Sequence, residues 1–207
     1  MIEDIVHSSA LLLVLLNPFL MSIYLADLIQ KFNLRVFSIY LLRGAFISAI
    51  VFMAFAWTGE AFFEQVLQVQ FESFLIFGGI IFLIIGLQFF FGGSQAIGQL
   101  RGQPRGVSIT IAMPYMIGPG TISASVLIGS HLPPVLAALS ILAALFVTVI
   151  SIIFMKWLHD YVRQQNEAIV ERYIDIAGRT SALIIGTFAI NMIMRGIEAW
   201  FQLNLKT

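Results

Sequence analysis

The sequence predicts an all-α membrane protein: six transmembrane helices arranged as two inverted three-helix repeats, the first and fourth helices broken near the membrane midplane. Three observations carry this reading. Of 207 residues, 59% are hydrophobic and only 11% are charged, and the mean hydropathy is +0.96. A soluble domain is about half apolar and about a quarter charged, so the surplus must face lipid. Six windows are long and apolar enough to cross a hydrocarbon core of roughly 30 Å. Finally, segments recur about one hundred residues apart in matching order.

The windows are residues 5–29, 36–57, 71–92, 107–129, 133–158 and 178–201. They are continuously apolar rather than alternating, and about twice too long for barrel strands. The joints between them are polar. Lys31, Asn33 and Arg35 mark the first, and Glu60, Glu64, Gln68, Gln70 and Glu72 the second. The third, residues 92–106, holds Arg101, Pro104 and Arg105; the fourth is only residues 130–133. The fifth, residues 159–177, mixes Arg163, Glu167, Glu171, Arg172 and Asp175, with length for a short amphipathic helix on the membrane surface. The N-terminus is acidic where a signal peptide is basic, so the first window is read as a retained span.

Basic residues beside spans stay cytoplasmic. Lys31, Arg35, Arg43, Arg101, Arg105, Lys156, Arg163, Arg172 and Arg179 fall on one side, and only Arg195 and Lys206 on the other. Both termini are therefore expected outside, with the chain multi-pass in a bacterial inner membrane. Trp57, Trp157 and Trp200 lie near span ends, as interfacial anchors do.

The third and sixth spans share a segment: Gly78 and Leu83-Ile84-Ile85-Gly86 match Gly178 and Leu183-Ile184-Ile185-Gly186. In the first and fourth, Asn17-Pro18 matches Gly118-Pro119. One membrane domain, residues 1–207, thus divides into repeats of about 1–100 and 101–207. Three spans per half is an odd number, so the halves must be inverted, an arrangement found in many secondary transporters.

Proline removes a backbone donor and glycine frees the chain. Asn17-Pro18 in the first span and Pro114 with Gly118-Pro119-Gly120 in the fourth should therefore break their helices. Freed backbone groups at membrane depth are tolerated only where they line a cavity or meet protein. Half-helix N-termini suit a carboxylate and C-termini an ammonium, and an amino-acid zwitterion has both. The candidate substrate-binding residues are Asn17, Pro18, Ser22, Gly118, Pro119, Gly120, Thr121 and Ser123, with Ser125 nearby. For the hydroxyls the plainer alternative is back-bonding to a carbonyl four residues earlier.

Other polar residues have structural readings. Arg43 inside the second span can snorkel or pair with Asp27; Arg195 and Glu198 share a helix face; Gln88 and Asn191 are suited to interhelical hydrogen bonds. His7, His131 and His159 fall at span ends without haem or metal spacing. Eleven basic residues balance eleven acidic ones and there is no cysteine. That gives no nucleic-acid surface, disulfide framework, iron–sulfur site or thiolate zinc site. No cofactor and no metal site is expected.

Residues 111–123, Ile-Ala-Met-Pro-Tyr-Met-Ile-Gly-Pro-Gly-Thr-Ile-Ser, resemble the Pro-Leu-x-x-Gly-Pro-Gly-Ala-Ile-Ser pattern of the MarC family, within the LysE-like group of membrane proteins. Residues 77–88, ending in Leu87-Gln88, resemble that family's partner pattern. The resemblance covers essentially the whole chain. It implies a six-helix inverted-repeat fold and transport of small neutral amino acids. The first break departs from the family pattern: after Asn17-Pro18 the usual Gly, second Asn and second Pro are missing, and Phe19-Leu20-Met21 stands instead. A first half-site that is less unwound, narrower or differently polar is one consequence.

The leading expectation is a secondary carrier, importing or exporting small neutral solutes, amino acids first, by alternating access around the two breaks. Proton or other cation coupling, uniport and exchange all stay open, as does homo-oligomerisation. A non-transporting accessory or lipid-handling protein is the alternative. A membrane enzyme ranks behind both, because paired intramembrane Asp, Ser with His or Lys, and His-Glu-x-x-His are all missing, so the chain is not expected to be an enzyme. Its expected partners are a small-molecule substrate and the lipid bilayer.

Overall fold

The computed structural model describes residues 2–92, 116–163 and 167–204, and those residues are helical with short joints. In chain order the helices are α1 (Ile2–Leu16), α2 (Pro18–Tyr24), α3 (Ala26–Lys31), α4 (Leu34–Thr58), α5 (Phe71–Gly92), α6 (Pro119–His131), α7 (Pro134–Arg163) and α8 (Glu167–Asn204). Four of them contain a stretch long and apolar enough to cross a membrane: Leu34–Thr58, Phe71–Gly92, Pro134–Val162 and Ala182–Gln202. The expected first span is present as three consecutive short helices. Of the expected fourth span only the part from residue 116 is described; Pro114 and the third joint lie outside the described residues.

Helix ends follow local chemistry. The Asn33 side chain caps α4 by accepting the Val36 N–H at 2.9 Å. Pro134 opens α7, where its missing N–H costs nothing. The second joint, read as polar, is also pinned by rings. It contains a turn of π-helix, Phe62–Val66, and Phe63 is buried with Phe71 and Val126. Phe63 lies 4.8 Å from Phe74 and 5.8 Å from Phe55, centroid to centroid, spacings at which aromatic pairs attract.

Glu60 sits at this joint. Burial first, then the neighbouring Glu72 and Glu64 carboxylates, push its carboxyl above the usual value of 4.5. Such a group favours folding when protonated and loses that contribution as pH rises through its raised value. Glu60→Gln is therefore expected to raise the unfolding midpoint slightly at neutral pH. The gain should vanish below pH 4.5, measured as thermal unfolding in detergent against pH.

The fifth joint differs from expectation. α7 continues to Arg163 and α8 begins at Glu167, so no separate surface helix stands between them. Residues 167–177 carry Ala, Glu, Arg and Ile with no Pro or Gly before Gly178, and such a run prolongs a helix. At 38 residues, α8 is about 57 Å long at 1.5 Å per residue, well beyond one membrane thickness.

α1, α4, α6 and α7 pack together around the main apolar core, in which Leu12, Phe37, Leu41, Phe52, Ala137 and Ile141 are wholly inaccessible. α5 and α8 pair closely beside it. Glycines set that pairing. A Cβ on Gly79 would lie 2.6 Å from Ile193 Cγ1 and 2.8 Å from the Ala189 carbonyl oxygen, and one on Gly196 would lie 2.9 Å from the Glu72 carbonyl oxygen. Without a strong hydrophobic drive between helices in lipid, such close backbone approach supplies the packing.

Candidate functional site

The two breaks differ in kind. At the first, Asn17 takes φ 41°, a left-handed conformation that asparagine tolerates better than most residues. Pro18 follows as the first residue of α2. The Asn17 N–H donates to Leu13 O at 3.0 Å, closing α1, and the Met21 N–H to Asn17 O at 3.0 Å, opening α2. Asn17 alone separates the two helices.

The second break is open. Gly118 is extended, φ −119° and ψ 168°, and Pro119 begins α6. Thr121 holds the shape. Its Oγ1 accepts the Gly118 N–H at 2.9 Å and donates back to Met116 O at 2.8 Å or Gly118 O at 2.9 Å. Thr121 is buried, at 2% exposure. Pro119 has no N–H, so the first backbone donor of α6 belongs to Gly120, which is buried.

The other candidate hydroxyls also bond to nearby backbone. Ser123 donates to Pro119 O at 2.8 Å, Ser125 to Thr121 O at 2.7 Å, and Ser22 to Phe19 O at 2.6 Å. Their hydrogens are engaged locally, while each oxygen keeps acceptor capacity. The helix end, rather than a ring of side chains, is what this break presents.

Two residues of α5 complete the second site; the sequence marked Gly78 as a repeat match and Phe82 only within residues 77–88, neither as part of a site. A Cβ on Gly78 would overlap the Pro119 ring, so only glycine lets α5 approach there. One turn on, Phe82 lays its ring against the break: a Cβ on Gly120 would overlap the ring edge, and one on Gly118 would lie 3.3 Å from Cε1 and Cζ. The signal was the spacing of four between residues 78 and 82, which places both on one helix face.

A third unanticipated feature is Lys156, counted from the sequence only among the basic residues beside the spans, which is 2% exposed. Its Nζ donates to both carboxylate oxygens of Asp160 at 2.6 Å, and His159 Nδ1 stands 3.5 Å from the same carboxylate. Arg43, Gln88, Asn191, Arg195 and Glu198 are exposed on their helices; the Asp27 side chain lies outside the described residues. An open groove of about 520 Å³ between α5 and α8 is lined by apolar residues, with Gly86, Ala182 and Gly186 among them and Phe90 and Phe91 beside. It is separate from both breaks.

Comparison with known proteins follows the same lines. A family model described as MarC family integral membrane protein matches residues 2–201. A UPF0056 membrane protein of Buchnera aphidicola subsp. Schizaphis graminum is 23% identical, covering 97% of this chain and 99% of its own length. One from Pyrococcus horikoshii is 21% identical over 72% of this chain and 74% of its own. A second Buchnera protein, from Buchnera aphidicola subsp. Acyrthosiphon pisum, is 20% identical over 96% and 98%. No solved structure matches the chain.

Proposed function

The chain belongs to the MarC family of integral membrane proteins, and from that premise we propose that it is a secondary carrier of small neutral solutes, amino acids first. It works by alternating access between two inverted halves of a six-span fold in a bacterial inner membrane, with both termini outside. The observation that carries the reading is the break at Gly118-Pro119-Gly120, where an extended residue interrupts the chain just before a new helix N-terminus. A helix N-terminus of this kind suits a substrate carboxylate. Asn17 and Pro18 form the opposing half-site; Ser22, Thr121 and Ser123 shape the two ends and offer oxygens. The bilayer and a small-molecule substrate are its partners, with homo-oligomers and cation coupling as further arms of the test. No enzymatic step is proposed.

Burial supports the two-half architecture. On α4, residues 37, 41, 44, 45, 48, 49, 52 and 56 are buried; on α7 so are 137, 141, 144, 145, 148, 149, 152 and 156. Packing agrees with it: α2 lies on α7 as α6 lies on α4, and α2 meets α8 as α6 meets α5. Exchanging the halves exchanges each pair. Two such halves around a shared site are suited to rocking.

The test is uptake of labelled alanine and glycine into proteoliposomes, with and without an inward proton gradient. Saturable uptake that unlabelled amino acids compete is expected. The variant Gly118→Leu with Gly120→Leu should lose about tenfold or more. Gly186→Leu, where a Cβ meets nothing within 4 Å, controls for added bulk. Flat uptake for every small amino acid sinks the assignment. The apolar α5–α8 groove favours lipid handling as the second reading, and labelled-lipid scrambling in the same vesicles tests it.

A further inference from the structure

The proposed carrier leaves open what limits the size of its solute, and the second break carries an answer. The start of α6 lies beside the ring of Phe82, which stands against both Gly118 and Gly120. Phe82 is half-buried, so one side of the ring faces the break and the other is not sealed by protein. Its backbone is fixed from behind, because Gly78 on the same face is locked against Pro119 and Met192. The ring therefore moves by its own side-chain torsions or not at all.

In register, Phe82 corresponds to Ala182 and Gly120 to Phe19. Phe19 is 50% exposed and Ala182 lines the separate α5–α8 groove, so the contact of ring and glycine belongs to the second half alone.

We propose that Phe82 sets the upper size of the solute admitted to the Gly118-Pro119-Gly120 break, restricting the carrier to amino acids with small side chains. The substrate part rests on the carrier reading; the steric part does not, and the experiment separates them.

The chain has no cysteine, so Gly118→Cys introduces a single thiol, at an extended position that any residue can adopt. Its reaction is timed with a small methanethiosulfonate and a bulky fluorescent maleimide, with Ser130→Cys, an exposed position at the far end of α6, as reference. With Phe82 present, the bulky reagent is expected to lag the small one by about tenfold relative to the reference; with Phe82→Ala or the milder Phe82→Leu the lag should close. In uptake, Phe82→Ala should raise leucine over glycine selectivity about tenfold, the scale on which a pocket separates side chains by size. An unchanged lag overturns the proposal, as does failure of both reagents in both backgrounds. Uptake that falls equally for all amino acids also overturns it, because it assigns Phe82 to packing alone. If the parent carries no amino acid, the carrier reading fails, and the thiol lag still decides for or against the steric role.

Discussion

Gly129→Ala is expected to lower stability by about 3 kcal/mol, the upper end for overpacking. The reason lies in what the new methyl would meet. A Cβ on Gly129 would overlap the Ala56 carbonyl oxygen and approach Ala56 Cα to 2.8 Å. Both are backbone atoms of α4, and no rotamer change can withdraw them. Elsewhere an intruding methyl is relieved by a flexible neighbour; here the two helices must part, and neighbouring contacts of the core open with them. In lipid this matters more than in water, since close contact is what holds helices together once they are inserted. The measurement is a denaturation midpoint in detergent, with Gly186→Ala as the open-space control. A Gly129→Ala protein within about 0.5 kcal/mol of the parent, the ordinary range for a surface change, contradicts this account.

The same contact explains what was legible in the sequence and what was not. Apolar windows for α4, α5 and α7 were plain because each is a long run whose composition alone decides its place. The Asn17 and Gly118 breaks were plain because proline and glycine act locally. The identity of the close contacts was not legible. Gly129 against Ala56, Gly78 against Pro119 and Phe82 over Gly120 join residues far apart in the chain, and no periodicity reports such distances. The fifth joint was read as a polar link with room for a short separate helix, whereas its residues are mostly good helix formers and α8 runs through them. The enclosure of Lys156 was not legible from its place beside a span end, where it was counted only with the basic residues of one side, unless its helix phase is followed. Followed, it shares the phase of Ala56, on the face that packs inward.

That phase gives the last prediction. Lys156 is enclosed, while the side chain of Asp160 is 41% exposed. The two single substitutions are therefore unequal. Asp160→Asn leaves an enclosed ammonium with only a neutral partner and should lower stability by about 2 kcal/mol, in the range for stranding a buried charged group. Lys156→Met keeps length and volume, removes the charge that had to be desolvated, and leaves a carboxylate that water can reach; it should fall within about 0.5 kcal/mol of the parent or above it. The double variant should then match Lys156→Met, giving a coupling of about 2 kcal/mol in the cycle. Equal losses from the two single variants contradict this, because they would mean that the pair is held for its mutual attraction and not for the enclosure of one member. Uptake by Lys156→Met carries the argument one step further. A charge whose removal leaves stability intact has no structural reason to sit inside a membrane helix. If stability is kept and uptake is lost, the Lys156–Asp160 pair belongs to the transport cycle.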